Sequence, residues 1–362
     1  MNVVLAGGGT AGHVEPALAL ADALRGYDDS ISVSALGTER GLETRLVPAR
    51  GYQLDLIPAV PLPRKASVDL LRVPDRLLAA VRRTGRHLDA RAADVVVGFG
   101  GYVALPAYLA ARGRRVPIVV HEANAKPGLA NRIGARFAAR VAVTYDAKSL
   151  PRAVVTGVPI RRAIADLDRA ALRDVARASF GLDADRPTLL VFGGSQGARR
   201  INDAITGAAK QLVAAGAQVL HATGMAGFDA VRAAVGDLEH YVPVAYLERM
   251  DLAYAAADLA LCRAGALTCA ELTAVGLPAV FVPFAAGNGE QRFNAAAVVE
   301  AGGALLVNDA ELDGAWIERV VAPLIADGSR LAVMATAARR FGRPDADTAL
   351  MRLVLDAAGA AP

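Results

Sequence analysis

The part of this 362-residue chain that is richest in residues able to do chemistry lies at 262–295. Its order of buried strand, glycine turn, helix starting near Gly265, second buried strand and Gly-rich loop predicts one crossover unit. The first backbone N–H groups of such a helix have no partner inside it, so they attract anions. Thr268 adds a hydroxyl there, and Glu271, one turn further on, could reach a sugar diol. The segment could therefore bind a diphosphate, a ribose and a sugar, but an ordinary βαβ unit with well-formed caps accounts for the spacing as well.

A second candidate is the glycine-rich segment at 7–13, which fits the pattern G-x-G-x-x-G of dinucleotide-binding domains. The acidic residue that would bind the ribose is missing at the end of the second predicted strand, because Glu39 comes too late. A phosphate-binding P-loop is excluded, since His13 stands where its lysine must be. An anion site lined by backbone remains, with an imidazole at its rim. His13 titrates near neutral pH, and it is either a general base for a hydroxyl or a histidine that shapes the start of the helix.

Three further motifs each follow a predicted strand. In GGSQGA at 193–198, Ser195 and the adjacent N–H groups could bind a diphosphate. GFGGY at 98–102 either admits a bulky acceptor close to the backbone or is a tight packing turn. HEAN at 121–124 begins like a zinc-binding helix motif, but Ala125 stands where the second histidine is needed, which excludes that site. Asn124 is therefore either a helix N-cap or a ligand contact, and Arg161, after the Val-Pro-Ile at 158–160, could neutralise a leaving phosphate.

The elements that must position these motifs alternate between short apolar strands and helical segments. This alternation predicts parallel sheets with helices on both faces, an α/β fold. Strands are predicted at 2–6, 31–36, 54–60, 94–98, 118–121 and 140–144, and in a second series at 188–192, 218–221, 241–244, 258–261 and 279–282. A tight loop is predicted at 7–12, a helix at 14–25, and mostly helical sequence after the last strand. A linker near 151–165 would separate two doubly wound halves.

Composition and charge restrict the classes of function. Hydrophobic residues make up 54% of the chain, yet no apolar run approaches the roughly 20 residues that span a bilayer. Residues 1–160 contain 21 Lys or Arg and 13 Asp or Glu, whereas the remainder contains 19 and 23, so the first half is expected to face something anionic. Aromatic residues make up only 5%, which argues against a nucleic-acid partner. Two cysteines and a start directly in a strand indicate reduced thiols, no signal peptide and a cytosolic compartment.

The segment at 61–88 contains seven basic and two acidic residues interspersed with leucines. Such a segment could rest on an anionic membrane surface, where each exposed Lys or Arg contributes about 1 kcal/mol. It could equally be a helix with its apolar face on the core and its arginines in water, since Leu77, Leu78 and Val81 suit burial.

Taken together, five motifs resemble one family. They are GGTAGHV at 8–14, HEAN at 121–124, GGSQGA at 193–198, RAGALT at 263–268 and GNGEQRFN at 287–294. The family is that of the bacterial UDP-N-acetylglucosamine–N-acetylmuramyl-(pentapeptide) pyrophosphoryl-undecaprenol N-acetylglucosamine transferases, which convert lipid I to lipid II in peptidoglycan and cell-wall synthesis, on which cell shape and division depend. The resemblance implies a GT-B fold with two Rossmann-like, doubly wound domains facing across a cleft. It also implies an inverting transfer from UDP-GlcNAc to the C4 hydroxyl of the muramyl sugar.

The resemblance also implies a function for each part of the chain. Residues 1–160 would form an acceptor domain that faces the membrane, 161–344 would bind UDP-GlcNAc, and a helix at 345–358 would pack back on the first domain. The enzyme would be peripheral, on the cytoplasmic face of the cell membrane, with lipid I and the anionic membrane surface as partners. No tightly bound cofactor and no dedicated metal site are expected.

Residue roles follow from the same resemblance. His13 is the candidate base, and Gly8, Gly9, Gly101 and Tyr102 would receive the acceptor. Leu247 would meet uracil, Glu271 the ribose hydroxyls, Gln291 the sugar, and Ser195 with the helix start at Ala266 the departing diphosphate. The full set implied for donor binding is Thr10, Ala11, Gly12, Asn124, Arg161, Ser195, Leu247, Ala266, Leu267, Thr268, Cys269, Ala270, Glu271 and Gln291.

Two alternatives remain open at this point. One is a transferase of the same fold that glycosylates a natural product, against which the basic segment at 61–88 argues weakly. The other is a non-catalytic nucleotide-binding protein, for which the missing ribose acid in the first half argues against NAD as ligand.

Overall fold

The computed structural model describes residues 1–60, 69–194, 197–284 and 289–360. The chain forms two compact units, Met1–Arg161 together with Asp345–Pro362, and Arg162–Pro344. Each unit is built on a single parallel sheet, and the predicted α/β class with two Rossmann-like units is confirmed.

Among the described residues of the first unit, seven strands form its sheet: β1 (Asn2–Gly7), β2 (Ser32–Gly37), β3 (Gln53–Leu56), β4 (Val95–Gly100), β5 (Ile118–Glu122), β6 (Arg140–Val143) and β7 (Ala153–Val155). Their order in the sheet is β3-β2-β1-β4-β5-β6-β7, with parallel pairing throughout. The order reverses beside β1, so the loops after β1 and β4 leave the sheet side by side. In open α/β sheets this switch point is where ligands bind.

Helices cover both faces of this sheet. They are α1 (Ala11–Tyr27), α2 (Glu43–Ala49), α3 (Asp69–Ala90), α4 (Ala104–Arg114), α5 (Leu129–Gly134) and, from the end of the chain, α17 (Ala346–Ala357). On one face Leu20 and Leu24 of α1 pack with Leu350 and Val354 of α17, all fully buried. On the other face α3 and α4 pack together, and α4 and α5 bury the second apolar cluster against the strands.

The second unit repeats the same plan, and its described part contains six strands: β8 (Thr188–Phe192), β9 (Gln218–Ala222), β10 (Tyr241–Val244), β11 (Leu259–Cys262), β12 (Ala279–Phe281) and β13 (Ala304–Leu306). Their order is β10-β9-β8-β11-β12-β13, which places the switch point between β8 and β11. The glycine turn at 193–198 and the residues Arg263, Ala264 and Gly265 therefore leave neighbouring strands at the same edge.

The helices of the second unit follow the alternation that the sequence predicts. They are α6 (Arg162–Ala165), α7 (Arg169–Ser179), α8 (Arg199–Gly207), α9 (Ala209–Ala214), α10 (Phe228–Val235), α11 (Met250–Ala256), α12 (Ala266–Val275), α13 (Glu290–Glu300), α14 (Gly314–Trp316), α15 (Ala322–Ala326) and α16 (Gly328–Arg339). A π-helical stretch, Ile317–Val321, joins α14 to α15.

Several boundaries differ from the predictions. Helix α1 begins at Ala11, because Thr10 already has the extended backbone of an N-cap, so the predicted loop at 7–12 is too long. The predicted strand at 54–60 ends at Leu56. The stretch taken as a linker contains the edge strand β7, and the helical prediction after the last strand missed β13. Leu78, expected to be buried, is 47% exposed.

In the part of the chain that is described, no individual helix combines the length and the apolar character needed to cross a bilayer. One pair meets both criteria jointly, Gly314–Ala326 with Gly328–Arg339, and it is bent by 89°.

Gly98 in β4 makes room for a buried tyrosine. A Cβ at this position would lie 2.1 Å from the hydroxyl oxygen of Tyr108, which is fully buried and donates to Asn131 Oδ1 at 2.7 Å. We expect Gly98→Ala to lower the free energy of unfolding by about 3 kcal/mol, since overpacking and a displaced buried hydrogen bond add. Thermal unfolding monitored by circular dichroism measures this. In Gly113→Ala, the matched control in α4, the new methyl group meets no atom within 4 Å, so stability should be kept or slightly raised; equal melting temperatures for the two variants would contradict the packing argument.

Candidate functional site

A cavity of about 220 Å³ opens at the carboxyl ends of β1, β4 and β5 in the first unit. Its lining contains both polar and apolar residues. The cavity is lined by His13, Val60, Val73, Leu77, Gly100, Gly101, Tyr102, Leu105, Pro106, Glu122, Asn124, Gly128, Leu129, Ala130 and Asn131. It brings together four residues that the sequence analysis singled out from three separate motifs: His13, Gly101, Tyr102 and Asn124.

His13 lies in the first turn of α1 and is half-buried. Its ring donates to the carbonyl of Gly8, and Nδ1 lies 3.3 Å from Thr10 Oγ1. Burial lowers the pKa of His13 below its ordinary 6.5, although the carboxylates of Glu122 and Glu43 oppose this shift. The ring is therefore neutral at pH 7. With one nitrogen donating to Gly8, the other can accept a proton.

Two glycines let the loop after β4 approach this histidine. Gly100 and Gly101 have φ of 96° and 77°, a region that side chains disfavour. A Cβ on Gly101 would lie 2.5 Å from the carbonyl oxygen of Gly8. Gly8, a predicted acceptor glycine of the first loop, is therefore in close backbone contact with Gly101 of the motif GFGGY. A Cβ on Gly9, the other, would lie 3.9 Å from Cδ2 of the Tyr102 side chain.

A buried carboxylate that sequence reasoning missed fixes the first glycine loop. Glu43 is fully buried and accepts hydrogen bonds from the N–H of Gly9 at 2.8 Å and from both the N–H and the hydroxyl of Thr38, at 2.8 and 3.0 Å. A Cβ on Gly37 or Gly41 would collide with its side chain. In a dinucleotide-binding domain, an acidic residue at the end of the second strand binds the ribose. Here Glu43 follows the second strand, and its carboxylate binds the first glycine loop instead. Its signal in the sequence is the pattern of Gly37, Thr38, Gly41 and Glu43 after the second strand.

Glu122 lines the cavity and accepts several hydrogen bonds. It is 2% exposed and accepts from the N–H of Asn124 at 2.9 Å, the N–H of Gly128 at 3.0 Å and Asn131 Nδ2 at 2.9 Å. Asn131 is itself held by Tyr108. A negative charge is therefore fixed near His13, in a loop whose shape depends on it.

The structure gives Asn124 and His121 of this motif different surroundings. The N-cap of α5 is Gly128, so Asn124 is not a helix cap, and its side chain lines the cavity. His121 is fully buried, its Nε2 bonds the carbonyl of Gly157 at 2.9 Å, and burial lowers its pKa to about 4. His121 is therefore a neutral core residue. Among the described residues, no three or more His, Cys, Asp or Glu side chains are grouped so that they could hold a metal ion.

The remaining predicted residues of the first unit lie at the start of α1, at the rim of the cavity and at the end of the unit's first segment. Thr10 is the exposed N-cap of α1, and Ala11 and Gly12 form the first turn of that helix, so all three are part of a helix N-terminus. Tyr102 is 53% exposed at the cavity rim. Arg161 ends the first unit and is half-buried.

In the second unit, the glycine turn and the start of α12 stand side by side. Gly197 has φ of 78° and donates its N–H to the carbonyl of Gly194 at 2.9 Å, which closes the turn. A Cβ on Gly197 would lie 2.4 Å from the carbonyl oxygen of Thr223, so the position requires glycine. Ser195, predicted to bind the diphosphate, lies outside the residues that the structure describes, as do Gly287 and Asn288 of the last motif.

Helix α12 begins at Ala266 after an extended Gly265, as predicted. Leu267, Thr268 and Ala270 are partly exposed, whereas Ala266, Cys269 and Glu271 are buried. Burial raises the thiol pKa of Cys269 and of Cys262, so both are inert core thiols. Glu271 accepts a hydrogen bond from the hydroxyl of buried Tyr254 at 2.7 Å, which fixes the orientation of its carboxylate.

Two other predicted donor residues follow the carboxyl ends of strands in the same sheet. Leu247 is 6% exposed in the loop between β10 and α11. Gln291, in the first turn of α13, accepts the N–H of Phe284 through Oε1 at 2.9 Å. Its amide therefore bridges the two ends of the Gly-rich loop, a role that sequence reasoning did not assign to it.

Comparison with known proteins relates both units to one group of enzymes. The model of the glycosyltransferase family 28 N-terminal domain matches residues 3–143, and that of the family 28 C-terminal domain matches residues 188–350. A protein of Streptomyces coelicolor named UDP-N-acetylglucosamine–N-acetylmuramyl-(pentapeptide) pyrophosphoryl-undecaprenol N-acetylglucosamine transferase is 60% identical over 360 residues, 99% of both chains. One of the same name from Acidothermus cellulolyticus is 62% identical over 364 residues, again 99% of both. The crystal structure of Acinetobacter baumannii MurG matches with a TM-score of 0.77 at 29% identity, covering 98% of this chain and 99% of that one.

Proposed function

This chain belongs to glycosyltransferase family 28, and on that premise we propose that it transfers N-acetylglucosamine from UDP-N-acetylglucosamine to the C4 hydroxyl of undecaprenyl-pyrophosphoryl-N-acetylmuramyl-pentapeptide. The observation that carries the proposal is about 60% identity over 99% of the chain to relatives named for this reaction. The matched range includes every motif discussed above. This similarity favours the muramyl acceptor over the natural product and the non-catalytic role left open by the sequence.

The cavity of the first unit supports a role in acceptor activation. The acceptor's C4 hydroxyl attacks the anomeric carbon of the sugar nucleotide from the face opposite the diphosphate, and its proton passes to His13. The new glycosidic bond forms as the bond to the diphosphate oxygen breaks, so the configuration inverts and UDP leaves. His13 suits the role of base because it is neutral, half-buried and beside the fixed charge of Glu122, which stabilises the imidazolium that forms. The glycine loop at Gly8 and Gly9 would hold the acceptor's diphosphate.

The second unit supports donor binding. The N-terminus of α12 and the adjacent glycine turn offer N–H groups to the diphosphate, where negative charge develops as UDP leaves. Glu271, oriented by Tyr254, would bind the ribose hydroxyls, and the backbone around Leu247 would meet uracil. Gln291 would bind the sugar through the part of its amide that Phe284 does not use.

The ribose role of Glu271 predicts a specific change in nucleotide affinity. Glu271→Ala should weaken UDP binding about 10- to 100-fold, since a hydrogen bond to a carboxylate contributes about 1.5–3 kcal/mol. Isothermal titration calorimetry with UDP and 2′-deoxy-UDP measures this, and the variant should lose the preference for UDP. Tyr254→Phe should reduce that preference partly, while the exposed Glu300→Ala should keep it. An unaltered UDP dissociation constant in Glu271→Ala would remove the ribose role.

Helix α3 supports peripheral association with the cytoplasmic face of the cell membrane. Ala80 and Leu88 are buried in the unit, which confirms a core-packed face, but Leu78, Arg82, Arg83 and Arg86 are exposed. An exposed leucine among three arginines suits an anionic lipid surface. The N-terminal part of the basic segment, 61–68, lies outside the described residues.

This membrane role predicts a charge-dependent affinity. The triple variant Arg82→Gln, Arg83→Gln, Arg86→Gln should bind anionic vesicles about 100-fold more weakly, at about 1 kcal/mol for each arginine. Co-sedimentation with vesicles that contain anionic or only zwitterionic lipid measures this at low and high salt. Unchanged affinity for the anionic vesicles would refute the assignment of this face, and unchanged UDP affinity serves as the control for folding.

The test of the transfer itself is product formation. The purified full chain with UDP-N-acetylglucosamine and a lipid I analogue should release UDP and yield a β-1,4-linked disaccharide, identified by mass spectrometry and linkage analysis. No release in the presence of that acceptor, from a chain that binds UDP, would overturn the proposed activity.

A further inference from the structure

A series of buried hydrogen bonds lies next to the glycine turn that follows β8 in the second unit. Its members are Tyr241, His221, Asn202 and Thr223, none of them more than 6% exposed. Nδ1 of His221 lies 2.7 Å from the hydroxyl of Tyr241, and its Nε2 lies 3.1 Å from Oδ1 of Asn202. Asn202 donates from Nδ2 to the carbonyl of Thr223 at 2.9 Å. Side chains from β10, β9 and α8 are thus connected to one main-chain oxygen.

The direction of each hydrogen bond follows from the last one. Because Asn202 uses its amide nitrogen on the carbonyl of Thr223, its oxygen faces His221, and Nε2 must carry the proton. Nδ1 is then an acceptor, and the hydroxyl of Tyr241 donates to it. Burial lowers the pKa of His221 to about 3, so the ring stays neutral at pH 7. In a buried series of this kind each hydrogen bond polarises the next, and every member has its partner.

The carbonyl at the end of this series is in contact with the glycine turn. A Cβ on Gly197 would lie 2.4 Å from the oxygen of Thr223, so the backbone of the turn packs directly against that oxygen. A Cβ on Gly227 would lie 2.5 Å from Nδ2 of Asn202, so a second backbone segment encloses the same hydrogen bond. Glycine lets both backbones come this close. A shift of the carbonyl of Thr223 would therefore shift the position of Gly197.

We propose that Asn202, His221 and Tyr241 are positioning residues for the donor's diphosphate, because they hold the carbonyl against which the glycine turn packs. This inference rests on the proposed function, in which that turn binds the diphosphate. The three side chains do not contact the nucleotide in this account. They act through the backbone of Thr223 and Gly197, and they fix one arrangement of the turn before the donor binds.

The alternative is that the three residues only stabilise the fold of the second unit. The two roles differ in one measurable ratio. Uridine has the groups assigned to Leu247 and Glu271 but lacks the diphosphate. A displaced turn therefore weakens the binding of UDP and leaves that of uridine unchanged, whereas a general loss of stability affects both ligands or neither.

The experiment measures the dissociation constants of UDP and uridine by isothermal titration calorimetry. Asn202→Leu keeps the branched shape of the side chain but removes both hydrogen bonds. It should weaken UDP about tenfold and change uridine by less than about twofold. Tyr241→Phe removes only the first donor of the series and should weaken UDP about threefold. Tyr52→Phe in the first unit is the matched control, because Tyr52 is also 6% exposed and donates at 2.7 Å, to Asp22; both constants should stay unchanged.

Each other outcome has a defined meaning. A wild-type ratio of the two constants in Asn202→Leu, or an equal loss for UDP and uridine, overturns the positioning role. If Asn202→Leu does not fold, as judged by circular dichroism, Tyr241→Phe decides, and an unchanged ratio in that variant overturns the role. If UDP binds the wild-type chain no more tightly than uridine, the diphosphate site of the proposed function fails, and the inference fails with it.

Discussion

Replacing His13 by alanine is expected to lower kcat by about 10²- to 10⁴-fold, the usual contribution of a general base. The KM for UDP-N-acetylglucosamine should change by less than about threefold, because the residues assigned to the uracil, the ribose and the departing diphosphate lie in the second unit. The physical reason is the environment of the ring. It is half-buried, held by the carbonyl of Gly8 and neutral at pH 7, so it can take the proton of an attacking hydroxyl. Steady-state kinetics with saturating acceptor measure the effect.

The pH profile separates a base from a residue that only shapes the loop. Burial lowers the pKa of His13 below 6.5, so the neutral, active form persists down to that lowered value. The wild-type kcat/KM should be flat near pH 7 and fall as the pH drops through the lowered pKa. The variant His13→Gln keeps a side chain that can hydrogen-bond but cannot take the proton, and its profile should lack this limb. Near-wild-type turnover in His13→Gln would show that the histidine is structural.

Removing the carboxylate of Glu122 is expected to have the second-largest effect. Glu122→Ala leaves the N–H groups of Asn124 and Gly128 and the amide of Asn131 without their acceptor in a buried place. We expect a loss of about 2–4 kcal/mol in the free energy of unfolding, since each stranded buried donor costs about 1–3 kcal/mol and relaxation recovers part of it. Urea unfolding measures this, and Glu300→Ala, on an exposed glutamate, should be neutral.

Glu122 should also influence the reaction through His13. Its negative charge raises the pKa of the imidazole, so its removal should move the acid limb of the wild-type profile to lower pH. The more conservative Glu122→Gln, which keeps the size of the side chain, should show the same direction of shift with a smaller loss of stability. If the acid limb of the pH profile does not shift in Glu122→Gln, Glu122 shapes the loop but does not act on His13 through its charge.

Much of the fold follows from local sequence pattern. Alternating apolar strands and amphipathic helices give the α/β class, and the strand predicted at 241–244 coincides with β10. The short strands β7 and β13 were missed because three apolar residues cannot be distinguished from a loop or a helix turn without their neighbours. Local pattern does not define the order of strands in each sheet, and hence the two switch points, since that order depends on contacts between distant segments.

The candidate site was predictable only in part, for a related reason. His13, Asn124 and Tyr102 belong to motifs whose residue types indicate chemistry, and one cavity contains all three. Glu43 was missed because it acts on a loop 34 residues away and occupies no position that a nucleotide motif defines. Glu122 was seen only as part of a failed zinc motif. Its role depends on four donor groups brought together by folding, and Asn131, one of the residues that supply them, carries no local signal.

The most direct test of the account is a crystal structure of the chain with UDP-N-acetylglucosamine bound. The account predicts the uracil at Leu247, the ribose hydroxyls at Glu271 and the diphosphate at the start of α12 beside the glycine turn of the second unit. A nucleotide bound instead at the glycine loop that Glu43 holds, with Glu271 making no contact to the ribose, would contradict it.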